Sequence, residues 1–358
     1  MTAALTATVA GAGLVHPAAR TLFDHMGVTG KKDTAAPRRP RSAAPAALTD
    51  TPPPPDTTEL SALLPGISLR RVPSYARMAL LAALRAMEDA GWRAAPTPRR
   101  PMALVLGTAY SGISMNMDFM DSLLDNGPRL ASPTAFSHAV NNMGAGLLSL
   151  LLHIQGPCFT LSQFELSFAA ALTTAVTLLH THRADRVLVG AVDEADPRFT
   201  HCCPQVTHPN LPPAVGAVFL CLTREAAPGT SVQVRWGNTV SHAPTAPLPQ
   251  SVATHSEQQS YAASPDATDA RHFVSGAAPP LPGEENNAAL YGYGPLAQAL
   301  DTALALRLLR MGTCARVFCR CAALSHRPYN PIQLAARSSS ADDNHRIRQA
   351  AIELWRQS

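Results

Sequence analysis

Little in this sequence is charged or aromatic. Charged residues make up only 15% of the 358 and aromatics 5%, and the formal net charge is +4. So weak a basic excess gives no footprint for nucleic acid. The one basic run, "KKDTAAPRRPRS" from Lys31 to Ser42, lacks the aromatics that would stack bases and reads as a solvated loop. Seven cysteines are an odd number without a framework spacing, so they are expected as reduced thiols in a cytoplasmic protein. No apolar window is long enough for a membrane span. "MTAALTATVAGAGLVHPAA" has no basic leader and is expected to form a first strand. Two readings of the low charge stay open: surface committed to burial against another chain, or a coding bias that enriches Ala, Pro and Arg.

What is present is an alternation of strands and helices. "ATVAGAGLV" (Ala7 to Val15) is a strand, and residues from about Gly30 to Asp56 are Pro-, Ala- and Arg-rich loop. "SYARMALLAALRAMEDAGW" carries Leu80, Leu84 and Met87 at helical spacing, with Ser74 as a cap and Gly91 at the C-terminus. "MALVLGTAY" (Met102 to Tyr110) is a strand and Ile113 to Leu124 a helix; another helix runs from near Val140 to about His153. "GPCFTLSQFELSFAAAL" (Gly156 to Leu172) reads as a strand turning sharply into an apolar helix that reaches His182 and is expected to be sandwiched within the protein. "DRVLVGAVDEAD" and "AVGAVFLCLT" are strands of continuous apolar residues, which implies a sheet covered on both faces. Further on, "SVQVRWGNTV", "ARHFVSGA" and "ARVFCRCAAL" read as strands. "PLAQALDTALALRLLRMG" reads as a helix, with Leu296, Leu300, Leu304 and Leu308 in register, and "DDNHRIRQAAIELWRQS" as a short terminal helix.

The turn after "GPCFTLS" is where such folds mount a nucleophile. A residue at that point is surrounded by free backbone N–H groups and the positive end of a helix. Here the turn carries Gln163, Phe164 and Glu165, with neither Cys nor Ser in the expected place.

"LRRVPSYARMALLAALRAMEDAGW", "SPTAFSHAVNNMGAGLLSLLLHIQGPCFTLS" and "ADRVLVGAVDEAD" together resemble β-ketoacyl synthases over about Ala7 to Thr223. The resemblance implies an α/β thiolase-like fold, with two βαβαβαββ-type halves in a five-layer αβαβα arrangement. It divides the chain into a first half at 1–226 (with the Pro/Ala/Arg-rich loop about 30–57), a shortened second half at 227–340 and a tail at 341–358. The family nucleophile falls on Glu165. The places of the family's two catalytic histidines fall on "FVSGAAPPLPGEE", with Gly276 and Ala277, and on "ALYGYGPLAQALDTALAL", neither of which contains His. The family's glycine-rich Phe-Gly loop is also missing, and the shorter chain agrees with trimmed catalytic loops. A mount without its chemistry is similar to chain-length factors, the silent partners of ketosynthases, with the aryl polyene subgroup nearest. That implies no catalytic residue of its own, no cofactor, and a heterodimer with an active ketosynthase fed by acyl carrier protein. The implied interface strand is Cys158, Phe159, Thr160, Leu161 and Ser162, and Met115, Met117, Phe119 and Met120 are candidates for lining the acyl tunnel; ordinary Met packing is the alternative. Rival readings are a malonyl-carrier-protein decarboxylase, a synthase with an unusual nucleophile, and a stand-alone acyl-binding or scaffold protein.

Other clusters read as structural. His201, Cys202, Cys203 and His208 lie close in sequence, but adjacent cysteines fit zinc spacing poorly, so no metal is expected. Cys319 and Cys321 alternate on a strand as small hydrophobes. His138 and Asn141 are expected in local hydrogen bonds. Asp193 and Glu194, adjacent on a strand end, point oppositely and make a poor acid–base pair. Glu165 itself either satisfies orphan N–H groups, reaches the partner, or imitates the acylated or malonyl state of the family's cysteine.

Overall fold

The computed structural model describes residues 6–17, 52–93, 101–203, 211–224, 232–241, 270–276, 284–324 and 347–356. The basic run, His208, Ala277 and nearly all of the 30–57 loop lie outside them. In chain order the strands are β1 (Thr6–Val15), β2 (Ala103–Gly107), β3 (Cys158–Leu161), β4 (Arg186–Asp193), β5 (Gly216–Thr223), β6 (Val232–Ser241), β7 (Ala270–Gly276), β8 (Glu284–Glu285), β9 (Arg316–Leu324) and β10 (Ile347–Arg356). The helices are α1 (Leu60–Leu63), α2 (Ser74–Asp89), α3 (Ile113–Asn126), α4 (Pro133–Ala139), α5 (Met143–Leu151), α6 (Ser167–His180), α7 (Pro197–Cys202), α8 (Ala288–Tyr291) and α9 (Ala297–Met311).

The strands form one ten-stranded sheet in the order β3-β2-β4-β5-β1-β6-β10-β9-β7-β8. The first half supplies β3 to β1 and the second half β6 to β8, joined where β1 pairs antiparallel with β6 from Thr6↔Arg235 to Val9↔Val232. Alternation along β2 and β4 divides the core into two layers. Leu104, Leu106 and Leu188 face α2 and α5. Ala103, Val105, Val187 and Val189 face α6. That same inner layer holds α9 together with Val317, Cys319, Ile352 and Leu354 of the second half, so α6 and α9 form a central helical layer between the half-sheets. The expectation for α6 holds: nine of its residues are buried. The outer helices, two sheet layers and central helices give four of the thiolase-like layers; the fifth is not among the described residues.

Local chemistry explains most boundaries. Helix α2 ends in a Schellman closure: Trp92 N–H donates to Met87 O at 2.8 Å around Gly91, whose φ of +66° suits glycine. Its start differs from expectation, because Pro73 occupies the cap position and no side chain caps the helix. The helix expected from Val140 is α5, preceded by a separate short helix, α4. The terminal helix is overturned. Residues 347–356 are a strand, β10, paired antiparallel with both β6 and β9. Ala, Glu, Leu and Arg favour a helix in isolation, but β6 and β9 present facing edges that only a strand satisfies. Leu354 then sits in register with Val234 and Val317 and is fully buried.

Candidate functional site

Strand β3 leads through Ser162 and Gln163 into a 3₁₀ turn at Phe164–Leu166, and α6 starts at Ser167. Phe164 has φ of +50°, the left-handed region a bulky residue rarely takes, at a cost of about 1–3 kcal/mol. Ser167 holds the turn in that shape. Its Oγ accepts from Gln163 N–H at 2.9 Å, and its proton lies between the carbonyls of Phe164 (2.6 Å) and Thr108 (3.1 Å). Strand β2 reaches the turn because Gly107 has no side chain; a Cβ there would stand 2.7 Å from Ser167 O.

Behind the turn lies Asp193. Its Oδ1 accepts from Thr108 Oγ1 (2.9 Å), Ala109 N–H (2.9 Å) and Tyr110 N–H (3.1 Å), so the end of β4 shapes the loop after β2. Burial pushes this carboxyl up to about 7, against the pull of its donors. Glu194 turns elsewhere: its Oε1 accepts from Ser114 N–H at 3.0 Å, and burial raises its pKa too. The two side chains take separate partners and form no acid–base pair. Arg198 bonds Asp118 (2.9 Å) and Asp121 (2.6 Å) on α3, and Asp196 (2.7 Å), fastening α7 to α3. Burial pushes Asp196 up, but the Arg198 hydrogen bonds outweigh it and hold the carboxyl below its ordinary value. Tyr110 bridges Phe164 and Phe199, with ring centroids 6.2 and 5.1 Å away.

Glu165 lies half-buried at the turn, and its carbonyl accepts from Cys321 Sγ at 3.3 Å. Cys319 and Cys321 are buried on β9, so Cys321 packs as a small hydrophobe and also supports the turn from the second half. The expected tunnel residues are not core: Met115, Met117 and Phe119 are half-buried, Met120 is exposed, and only Ile113 of α3 is buried. Phe119 packs on Phe136 of α4 at 5.3 Å. Cys158, Phe159, Thr160, Leu161 and Ser162 lie on and just after the edge strand of the sheet, which pairs only with β2 among the described residues. Phe159 is 43% exposed there. Asn141 is exposed and its carbonyl accepts from Ser111 Oγ at 3.4 Å, while His138 is half-buried at the end of α4. His201, Cys202 and Cys203 close α7, and no three His, Cys, Asp or Glu side chains converge for a metal among the described residues. Nor does any described helix have the length and apolarity to cross a membrane.

Sequence reasoning missed Ser167 and, although it singled out Asp193, missed the role that Asp193 has in organising this site. A small hydroxyl residue at the first position of the helix was the available signal for Ser167. An acid ending an otherwise apolar strand was the signal for Asp193.

The strand–turn–helix at Glu165 lies within the segment, residues 15–205, that matches the family model for the β-ketoacyl synthase N-terminal domain. The chain belongs to the β-ketoacyl synthase family. Among curated relatives, it is 24% identical over 133 residues to chloroplastic 3-oxoacyl-acyl-carrier-protein synthase I of Arabidopsis thaliana, a match covering 36% of this chain and 28% of that one. It is 26% identical over 135 residues to 3-oxoacyl-acyl-carrier-protein synthase 2 of Coxiella burnetii, covering 36% and 31%. The match thus spans about a third or less of these synthases. Solved structures are similar across the whole fold. One is a type II polyketide acyl-carrier protein in complex with its ketosynthase bound to the hexaketide (AntDE:AntF; TM-score 0.67, 13% identity, 98% of this chain and 99% of that one). Another is the ishigamide ketosynthase/chain length factor (TM-score 0.65, 16% identity, 97% and 99%). A third is the ketosynthase ApeO in complex with its chain length factor ApeC from Xenorhabdus doucetiae (TM-score 0.60, 15% identity, 98% and 98%). At such identities the likeness is one of fold, and the fold of this synthase-family chain is thiolase-like.

Proposed function

We propose that the chain is a catalytically silent, ketosynthase-like subunit that pairs with an active β-ketoacyl synthase and shapes its acyl tunnel, a chain-length factor. The carrying observation is the turn, strained at Phe164, locked by Ser167 and seated on Gly107; the family resemblance assigns the nucleophile's position in it to Glu165. A carboxylate there lacks the thiolate's nucleophilicity toward a thioester, and the matching second-half segments contain no imidazole to polarise a carbonyl. Two of the similar solved structures pair a ketosynthase with a chain length factor, which supports extending the reading to partnership.

The surface is compatible with such a partner. Among the described residues no strand lies beside the outer edge of β3, which makes that edge a template for a strand of another chain. Around it α5 packs on β3, α4 on α5 and α3 on α4, and this run exposes Phe159, Leu150, Phe136, Leu130 and Leu124. Leu124 is 75% exposed. Burying each such side chain is worth about 1.5–3 kcal/mol, so the face suits a large apolar protein interface. Helix α3, with Met115, Met117, Phe119 and Met120, would then be covered by the partner and border the tunnel.

The test is co-expression with a ketosynthase that retains Cys and both His. The two chains should co-elute as a stable pair, and Phe159→Asp should abolish the pairing. A chain that stays monomeric and well behaved beside such partners would remove the proposal. Robust acetyl-carrier formation by the isolated chain on malonyl carrier protein, lost in Glu165→Ala, would favour the decarboxylase reading instead.

A further inference from the structure

The second half buries a polar knot behind the Glu165 turn. Asp301 lies in the middle of α9, in "LAQALDTALAL", with no exposed surface. Its Oδ1 accepts from Asn287 Nδ2 at 3.0 Å and from the Tyr291 hydroxyl. Among the described residues its Oδ2, just as buried, has no donor, and Ser275 Oγ on β7, buried as well, has no hydrogen-bond partner. Ser275 lies near enough to act on the carboxyl while standing outside hydrogen-bond geometry. Ser275 is also in register with Cys321, the residue that touches Glu165 O, so the knot adjoins the support of the turn.

A fully desolvated carboxylate needs donors on both oxygens or a cation beside it. Among the described residues neither stands beside Asp301. Among the described residues the titratable groups acting on Asp301 are Tyr291 from α8, Glu285 from β8 and Cys319 from β9, and Glu285 is itself ion-paired with Arg271 of β7, which engages that guanidinium. A second basic side chain in this chain of contacts, His16 after β1, meets the Tyr291 carbonyl at 3.1 Å, and burial lowers its pKa toward the neutral form. One oxygen holding two donors and one holding none is the arrangement a carboxylic acid satisfies, with its own proton as the missing donor.

We propose that Asp301 is held as a neutral acid whose Oδ2–H is directed to Ser275 Oγ, and that this Asn287/Tyr291–Asp301–Ser275 latch ties α8, α9 and β7 together behind the Glu165 turn and opens when the proton is lost. Burial agrees, pushing this carboxyl up to about 7 from an ordinary 3.8. The sign follows: the folded chain keeps the proton after the unfolded chain has released it. The contribution to stability is therefore complete below the unfolded value and is lost as pH rises through the folded one.

The experiment is urea unfolding of the full chain from pH 5 to 8.5, wild type beside Asp301→Asn, which keeps the shape, stays neutral and can still donate toward Ser275. The wild-type unfolding constant should rise relative to the variant by up to about tenfold per pH unit below 7 and run parallel to it above 8. Parallel curves throughout would overturn the latch. Should Asp301→Asn fail to fold, infrared spectroscopy of Ser275→Ala decides. The carbonyl band of the protonated carboxyl should move when its acceptor is removed, and a band that does not move overturns the proposal.

Discussion

Each half of the molecule buries one aspartate behind the turn at Glu165, and the two are supported differently. Asp193, in the first half, gathers two backbone N–H groups and a threonine hydroxyl from a single adjacent loop, all onto one oxygen. Asp301, in the second, is met by two side chains from the segment before its own helix and has one bare oxygen. Backbone donors are fixed once the loop exists, so Asp193 shapes the loop whatever that loop's side chains are. Side-chain donors must be specified residue by residue. The first half thus sets its turn by backbone geometry, and the second is held beside it by a side-chain knot.

Substitutions can break or sharpen this contrast. The largest effect is expected where the halves share a core: Leu354→Ala on β10 should destabilise the fold by about 2–5 kcal/mol, measured by chemical denaturation. A change below 0.5 kcal/mol would mean the terminal strand is dispensable. Next come the two carboxyls, both raised to about 7 by burial. Asp193→Asn should flatten the decline in stability that accompanies rising pH between about 4 and 7, as Asp301→Asn does, and should also disturb the loop after β2. Combining them should flatten it further, and a double variant with the slope of either single one would show that the two titrate as one group. Relieving the turn is smaller: Phe164→Gly should stabilise the isolated chain by about 1 kcal/mol, lessened by the lost contact with Tyr110. Arg198→Met should cost about 1 kcal/mol, most of it at the buried Asp196, because the carboxylate partners on α3 are near the surface and screened.

The alternation of strands and helices, the sandwiched α6 and the strand–turn–helix at Glu165 were legible because continuous apolar strands and one sharp turn are local signals. Helices α4 and α7 were overlooked although both carry a start signal: Ser132 and Asp196 cap them, each followed by proline. Strand β10 was illegible for a physical reason. Its residues favour a helix, and only the facing edges of β6 and β9, far away in sequence, decide otherwise. The Asp301 knot was hidden likewise, since its members lie on β7, before α8, on α8 and on α9, and nothing in any one stretch announces the others.

The central claim is that this chain keeps the frame of a condensing enzyme and leaves acyl transfer to a companion. The most direct measurement is to incubate the co-purified pair with an acyl-carrier thioester and locate the acyl group by intact-mass analysis of each chain. The account predicts acylation of the partner synthase alone, unchanged when Glu165 is replaced by Ala. An acyl adduct on this chain, at Glu165 or at any of its cysteines, would contradict it.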